Sequence, residues 1–261
     1  MKNKKAAMFS VSALLLSANG NAALIPVAGG LGVYDDVNNV TWAADGNLMQ
    51  TQAASYAGGA PAYVAAVISA SGGVILNTPN LYNPSGIYIL SASDFNASAG
   101  VMSWWAAKAW VNYLNATNYA GTSTWALPTT VDSDSSFEYP PSQASSQMAQ
   151  LFYGGLGQVA GSSITATHNS SYALFTNLQS SWYWSATEYS ADPYGAWSFF
   201  TYYGSQSDPE KPYDTYALAV SPGQISAVPE PSVAWLLGTG LLGVIGLRRR
   251  RPTALGLQSR A

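Results

Sequence analysis

The chain has 261 residues, with 10 basic against 13 acidic side chains and a formal net charge of −3. Residues 23–227 hold only two of those cations, Lys108 and Lys211, and twelve of the acids, a net of −10. So acidic an interior has no phosphate-binding surface, which excludes nucleic acid as a partner; with no cysteine in the chain, disulfides, thiolate catalysis and cysteine-based metal cages are excluded too.

At the start, Lys2, Lys4 and Lys5 precede an apolar stretch over 6–16, and polar Ser17, Asn19 and Asn21 lead to small Gly20 and Ala22. This pattern predicts a secretory signal peptide over 1–22, cleaved after Ala22, with the Sec export machinery as a partner. The body that remains, residues 23–227, is expected to be one domain, large enough to bury a core without covalent staples. Low charge and abundant Trp, Tyr, Gly, Ser and Asn favour strands and structured loops over long solvated helices.

Residues 31–34 and 40–43 read as a hairpin around the turn-forming Asp35-Asp36-Val37-Asn38-Asn39. Residues 50–69 are Ala-rich and predict a helix broken by Gly58, Gly59 and Pro61, and a strand is expected over 87–90. The clearest helix follows, with Val101, Trp104, Trp105, Lys108, Val111 and Leu114 at three- and four-residue spacing, Ser103 as N-cap and a stop near Asn115. Residues 125–129 are extended, 132–142 form a loop, and 145–153 predict a second short helix closed by Gly154 and Gly155. The lone His168 falls in a polar loop, and the end of the body is strand-like over 182–187, 196–203 and 215–220. Helices among short antiparallel strands make the fold class α+β.

Beyond the body, Val228-Pro229-Glu230-Pro231-Ser232 precedes an apolar run over 233–247 and then Arg248, Arg249, Arg250 and Arg251. The prolines keep the first part extended, as a processing enzyme requires. The run holds about 15 residues, ~22 Å as a helix, short for a ~30 Å hydrocarbon core unless the arginines snorkel. They hold residues 252–261 as a cytoplasmic tail and place everything before Val233 outside. The arrangement over 228–251 resembles the PEP-CTERM sorting signal of Gram-negative bacteria, which implies exosortase as a partner, transient anchoring in the inner membrane by a transmembrane helix at 233–247, and final placement at the cell surface or outside it.

A second resemblance covers residues 32–223. It rests on landmarks in order: Val33-Tyr34-Asp35-Asp36 with Thr41-Trp42; Met102-Ser103-Trp104 with Ala109-Trp110 and Leu114-Asn115; Trp125 with Leu127-Pro128-Thr129; and Ser146-Gln147-Met148 with Leu151-Phe152. Phe175 with Leu178-Gln179, Tyr183-Trp184-Ser185 with Thr187-Glu188-Tyr189, Ala196-Trp197 and Ala219-Val220 complete it. The stretch resembles the Lcl C-terminal-like domain of collagen-like bacterial adhesins. That implies a single C-type-lectin-like domain with two main helices, and a role in binding polysaccharide. The chain departs from the pattern at Ala126 and Ser221, where relatives carry arginine, and at Gln147, where they carry glutamate. A buried or half-buried ion cluster lost as a set would explain this, because one stranded charge costs ~3–5 kcal/mol. The same departures weaken any site for anionic glycans, which the acidic interior repels unless a divalent cation bridges.

For catalysis, a serine nucleophile would have only His168 as a base. Paired carboxylates for glycoside hydrolysis could come from Asp94, Asp132, Asp134, Glu138 and Glu188. Neither pattern is complete, and the protein is expected not to be an enzyme. No cofactor is implied, although Asp35, Asp36, Asn38 and Asn39, or Asp132, Asp134 and Glu138, offer hard oxygens of the kind calcium takes. The sharpest functional signal is aromatic: Trp182, Trp184, Tyr189, Tyr194 and Trp197, with Glu188, are candidate ligand-binding residues. Alternation along a strand predicts that one set of rings fills the core and the other nears solvent, with Tyr194 exposed in its turn. The expected role is non-catalytic binding or scaffolding of extracellular polysaccharide, with a structural adhesin that binds protein partners and a carbohydrate-active enzyme as rivals.

Overall fold

A computed structural model describes residues 23–132 and 146–226. The chain opens with strand β1 (Leu24–Val27), antiparallel to β2 (Gly32–Asp35), which turns into β3 (Val40–Ala43). The expected hairpin is β2–β3, in register Gly32↔Ala43 to Asp35↔Val40. Its turn is organised by the fully buried Asp35, whose carboxylate accepts from the Val37 and Asn38 N–H groups and from the Asn38 amide. Helices α1 (Leu48–Ser55) and α2 (Gly59–Ala70) are the halves of the predicted broken helix. The break falls at Gly58 and Gly59, with φ of 94° and 76° that only glycine adopts without strain, while Pro61 is accommodated in the first turn of α2, where no intrahelical N–H is needed.

Strands β4 (Val74–Leu76) and β5 (Ile87–Ile89) pair as a two-stranded ribbon, and β6 (Phe95–Asn96) and β7 (Val101–Met102) as another. Helix α3 (Trp104–Ala116) follows, with Ser103 Oγ accepting from the Ala106 N–H at 3.2 Å as the predicted N-cap. Eight of its residues are buried, so α3 is apolar nearly all round and runs through the core. Tyr88 of β5 stacks on Trp105 at 3.8 Å, and the Trp104 indole N–H donates to the Ser185 carbonyl at 2.8 Å. The second short helix is α4 (Gln147–Ala149), capped by Ser146 and continued by a π-helical turn over Gln150–Gly155.

Strands β8 (Trp182–Glu188), β9 (Ala196–Phe200) and β10 (Ser205–Ser207) form a three-stranded antiparallel sheet in the order β10-β9-β8. The last strand, β11 (Val220–Pro222), closes the other sheet in the order β1-β2-β3-β11. Strand character over 215–220 is confined to that final pairing and to isolated bridges, Met102↔Thr215, Tyr183↔Tyr216 and Ala126↔Val220. After β11 the chain stays pinned: the Gly223 N–H donates to Asn39, Thr41 Oγ1 donates to the Gly223 carbonyl, and buried Ile225 donates its N–H to Thr41 Oγ1. Helices with several small antiparallel sheets agree with the mixed class read from the sequence.

Candidate functional site

Strand β8 is covered on both faces in its middle and opens at its start. Trp184 and Trp197 are fully buried, the Trp184 indole donating to the Met102 carbonyl at 2.9 Å and that of Trp197 to Asp132 Oδ1 at 3.1 Å. Neither ring can stack on a ligand, which corrects two of the candidates. Alternation failed as a guide because both faces are covered in the middle of the strand: Trp184, on the face it shares with Trp182, reaches the Met102 carbonyl, while Tyr183 and Phe199 are buried on the opposite face. Tyr194 is half-buried rather than exposed: loop residue Tyr82 packs against it, tilted by 39° with ring centres 3.8 Å apart, and donates its hydroxyl to Glu210. Tyr189 is also half-buried, set edge-on against Trp197 at 5.4 Å.

Glu188, at the far end of β8, is held from two sides. Lys211 Nζ bonds it at 2.7 Å, and the Thr78 N–H donates to both of its oxygens at 3.2 Å. Lys211 is itself fully buried, donates to the Pro193 carbonyl at 2.6 Å, and lies 4.8 Å from the centre of the Trp104 ring, with Lys108 at 4.4 Å from the same ring. Burial lowers the affinity of both ammonium groups for their protons. Of the other candidate acids, Asp94 is buried and accepts from Tyr88, Ser91 and Ser103. Asp132 accepts from the Ser190 N–H and from Trp197; burial opposes its ionisation, yet these bonds hold its carboxyl below the usual range. These carboxylates organise backbone and indole donors. Asp134 and Glu138 lie outside the described residues. Among the described residues no group of three or more His, Asp or Glu side chains could hold a metal ion, and in the hairpin proposed for calcium the Asp36 carboxylate accepts from the Ala23 N–H while that of Asp35 holds the turn.

The open end of β8 carries a continuous aromatic surface. Trp182 stacks on Phe200 at 4.4 Å and 12°, and Phe200 contacts Tyr202 and Tyr203, both at 5.7 Å. Tyr202 and Tyr203 are 43 % and 46 % exposed in the turn between β9 and β10. That turn is fixed from below: buried Thr201 donates to the Gln179 and Ser181 carbonyls, and the Tyr153 hydroxyl donates to the Gly204 carbonyl at 2.6 Å. Gly204, at φ 78°, packs so closely on Phe152 and Tyr153 that a Cβ there would lie 2.4 Å from the Tyr153 hydroxyl. Trp182 also lines a cleft of about 310 Å³ with Ser207, Pro209, Tyr213, Asp214 and Thr215. The segment carrying Tyr213 and Asp214 is brought there by backbone bonds, with the Tyr216 N–H donating to the Trp182 carbonyl and the Trp184 N–H to the Tyr216 carbonyl. Burial, and then the nearby Asp94, raise the Asp214 carboxyl above the usual range. Of this surface only Trp182 stood among the sequence candidates. The Tyr202-Tyr203-Gly204 triplet, paired exposed rings before a turn glycine, was the signal available for the rest.

The family comparison bears on the other end of the chain. A model described as the PEP-CTERM protein-sorting motif matches residues 227–251. This chain carries that motif. The match takes in Val228, Pro229, Glu230, Pro231 and Ser232 as well as the four arginines, and it implies recognition by exosortase, with export to the cell surface or beyond. The predicted spanning helix at 233–247 lies outside the described residues, as does the predicted signal peptide; among the described residues no helix is long and apolar enough to cross a membrane. Neither a curated protein nor a solved structure matches the chain.

Proposed function

We propose that this exosortase-sorted protein binds extracellular polysaccharide without catalysis, through the Trp182–Phe200–Tyr202–Tyr203 surface and the cleft beside it. The observation that carries the reading is a contiguous run of four rings, half-buried Trp182 on Phe200 and Phe200 on the exposed Tyr202 and Tyr203, beside a turn locked by Thr201 and Gly204. Aromatic faces stack on the C–H surfaces of sugars, and a rigid platform loses little entropy when they do. The surrounding Ser207, Thr215 and Asp214 supply hydroxyl partners. Export to the cell surface or beyond, implied by the sorting motif, is compatible with an extracellular polysaccharide as ligand. The resemblance of residues 32–223 to the Lcl C-terminal-like domain, with its lectin-like fold, supports the same reading. Glu188, the strongest acid candidate, is engaged by Lys211 and Thr78, which supports a non-catalytic role. Affinity electrophoresis of the purified chain in gels cast with polysaccharides from an exosortase-bearing host tests it: retardation should be lost in Tyr202→Ala/Tyr203→Ala with near-UV dichroism unchanged. Equal retardation of that variant, or none of the parent, overturns the reading.

A further inference from the structure

The described residues contain two strong cations, and both are committed elsewhere. Lys211 is buried against Glu188, and Lys108 donates to the Leu76 carbonyl at 3.2 Å beside the Trp104 ring. The cleft beside Trp182 is lined instead by a carboxylate, Asp214, together with Ser207, Pro209 and Thr215. Among the described residues no donor bonds to the Asp214 carboxylate and no cation pairs with it. Trp182 and the 59 % exposed Tyr213 also line it, and aromatic rings attract positive charge at their faces.

We propose that this cleft accepts an amine-bearing sugar, so that the ligand is a polysaccharide with free amino groups and not a sulfated or uronic-acid polymer. The proposal rests on the glycan-binding reading and adds the charge class of the ligand. An ammonium placed between Trp182, Tyr213 and Asp214 would gain a charge-assisted hydrogen bond and ring-face attraction together. Asp214 is exposed to solvent, yet partial desolvation and the nearby Asp94 disfavour its ionised form, and an ammonium beside it would offset both. A sulfated chain meets the reverse: no described cation is free to receive it, and the interior's net charge of −10 repels it.

Calorimetry on the purified full chain separates the two levels. Three probes serve: a fully de-N-acetylated glucosamine hexamer with its amines charged, the N-acetylated hexamer, and heparin. The amine hexamer should bind roughly tenfold tighter than its acetylated counterpart, about the contribution of one hydrogen bond between charged groups. That preference should shrink with added salt and collapse toward unity in Asp214→Asn, an exposed conservative change whose fold near-UV dichroism checks. Tyr213→Ala should lower the preference as well. If the acetylated hexamer or heparin binds as tightly as the amine hexamer while Tyr202→Ala/Tyr203→Ala weakens them, the amine assignment is wrong and the glycan reading stands. If none of the three binds and the host polysaccharides do not retard the chain, both fall together.

Discussion

The two ends of strand β8 make a natural experiment. It starts at Trp182, stacked on Phe200 and open to the cleft, and ends at Glu188, held by Lys211 and by the Thr78 N–H. Between them Tyr183 and Trp184 are completely covered. Residue chemistry does not separate these positions, since tryptophan and tyrosine occur at the covered and the open sites alike. What separates them is which neighbours reach over. Helix α3 and the loop bearing Thr78 close one end, while the β9–β10 turn leaves the other as a platform. Closed positions should govern stability and open ones recognition.

The largest effect should come from the closed end. Glu188→Gln leaves the Lys211 ammonium buried without a counter-charge and should cost ~3–5 kcal/mol in denaturant-induced unfolding. A loss under ~1 kcal/mol would mean that water or relaxation rescues Lys211, and the contrast between the ends would blur. Next comes pH. Burial raises the Tyr183 and Tyr63 hydroxyls far above the usual range and pushes Tyr119 up to about 12. In the unfolded chain tyrosines ionise near ~10, so the folded state holds more protons above that point. Each such tyrosine should then remove about 1.4 kcal/mol per pH unit. Lys108 and Lys211, with lowered proton affinity, act oppositely below ~10.4, where the unfolded chain holds more protons. Thermal unfolding should therefore show stability rising into the alkaline range and falling steeply beyond pH ~10; a profile flat across that point would contradict the closed character of the Tyr183 site.

At the open end, Tyr202→Ala should move stability by no more than ~0.5 kcal/mol while glycan affinity falls several-fold, since a stacked ring is worth about 0.5–1.5 kcal/mol. A large loss of stability with affinity intact would reverse the assignment of roles. The smallest effect is expected from Ala126→Arg. The idea of a lost ion cluster required residue 126 to be buried or half-buried, but it is exposed beside its bridge partner Val220. The replacement should shift the melting temperature hardly at all. Of the other two departing positions, Ser221 is fully buried, its hydroxyl bonded to that of Thr124 at 2.7 Å, and the Gln147 side-chain Oε1 accepts from the Thr129 N–H. A cost concentrated in Ser221→Arg, and absent from Ala126→Arg, would show that the three positions do not act as a set.

Legibility in the sequence followed the range of the interaction. Helix α3, the β2–β3 hairpin and the break at Gly58 were readable because spacing, turn residues and glycine act over a few positions. Strands β1, β4, β6, β7 and β10 lie outside the strands that the sequence pattern predicts. The Ser205–Ser207 segment has no strand propensity of its own and exists because Gly204 returns the chain antiparallel to β9. At the site, aromatic density marked the right region but chose Trp184 and Trp197, since a sequence shows that a ring is apolar without showing what covers it. Tyr213 and Asp214 were missed because they reach Trp182 only through the pairing of Tyr183 with Tyr216, 33 positions along the chain.

The tuck of Ile225 beneath Thr41 has a mechanical consequence. The sheet grips the chain through residue 225, and the sorting motif begins at 227, leaving one residue as the border between folded body and processing signal. An enzyme that must draw an extended peptide across that border would have to peel β11 from the sheet edge. The stiffness of that strand would then set how far into the body a cut can reach, and the fold itself would act as the ruler.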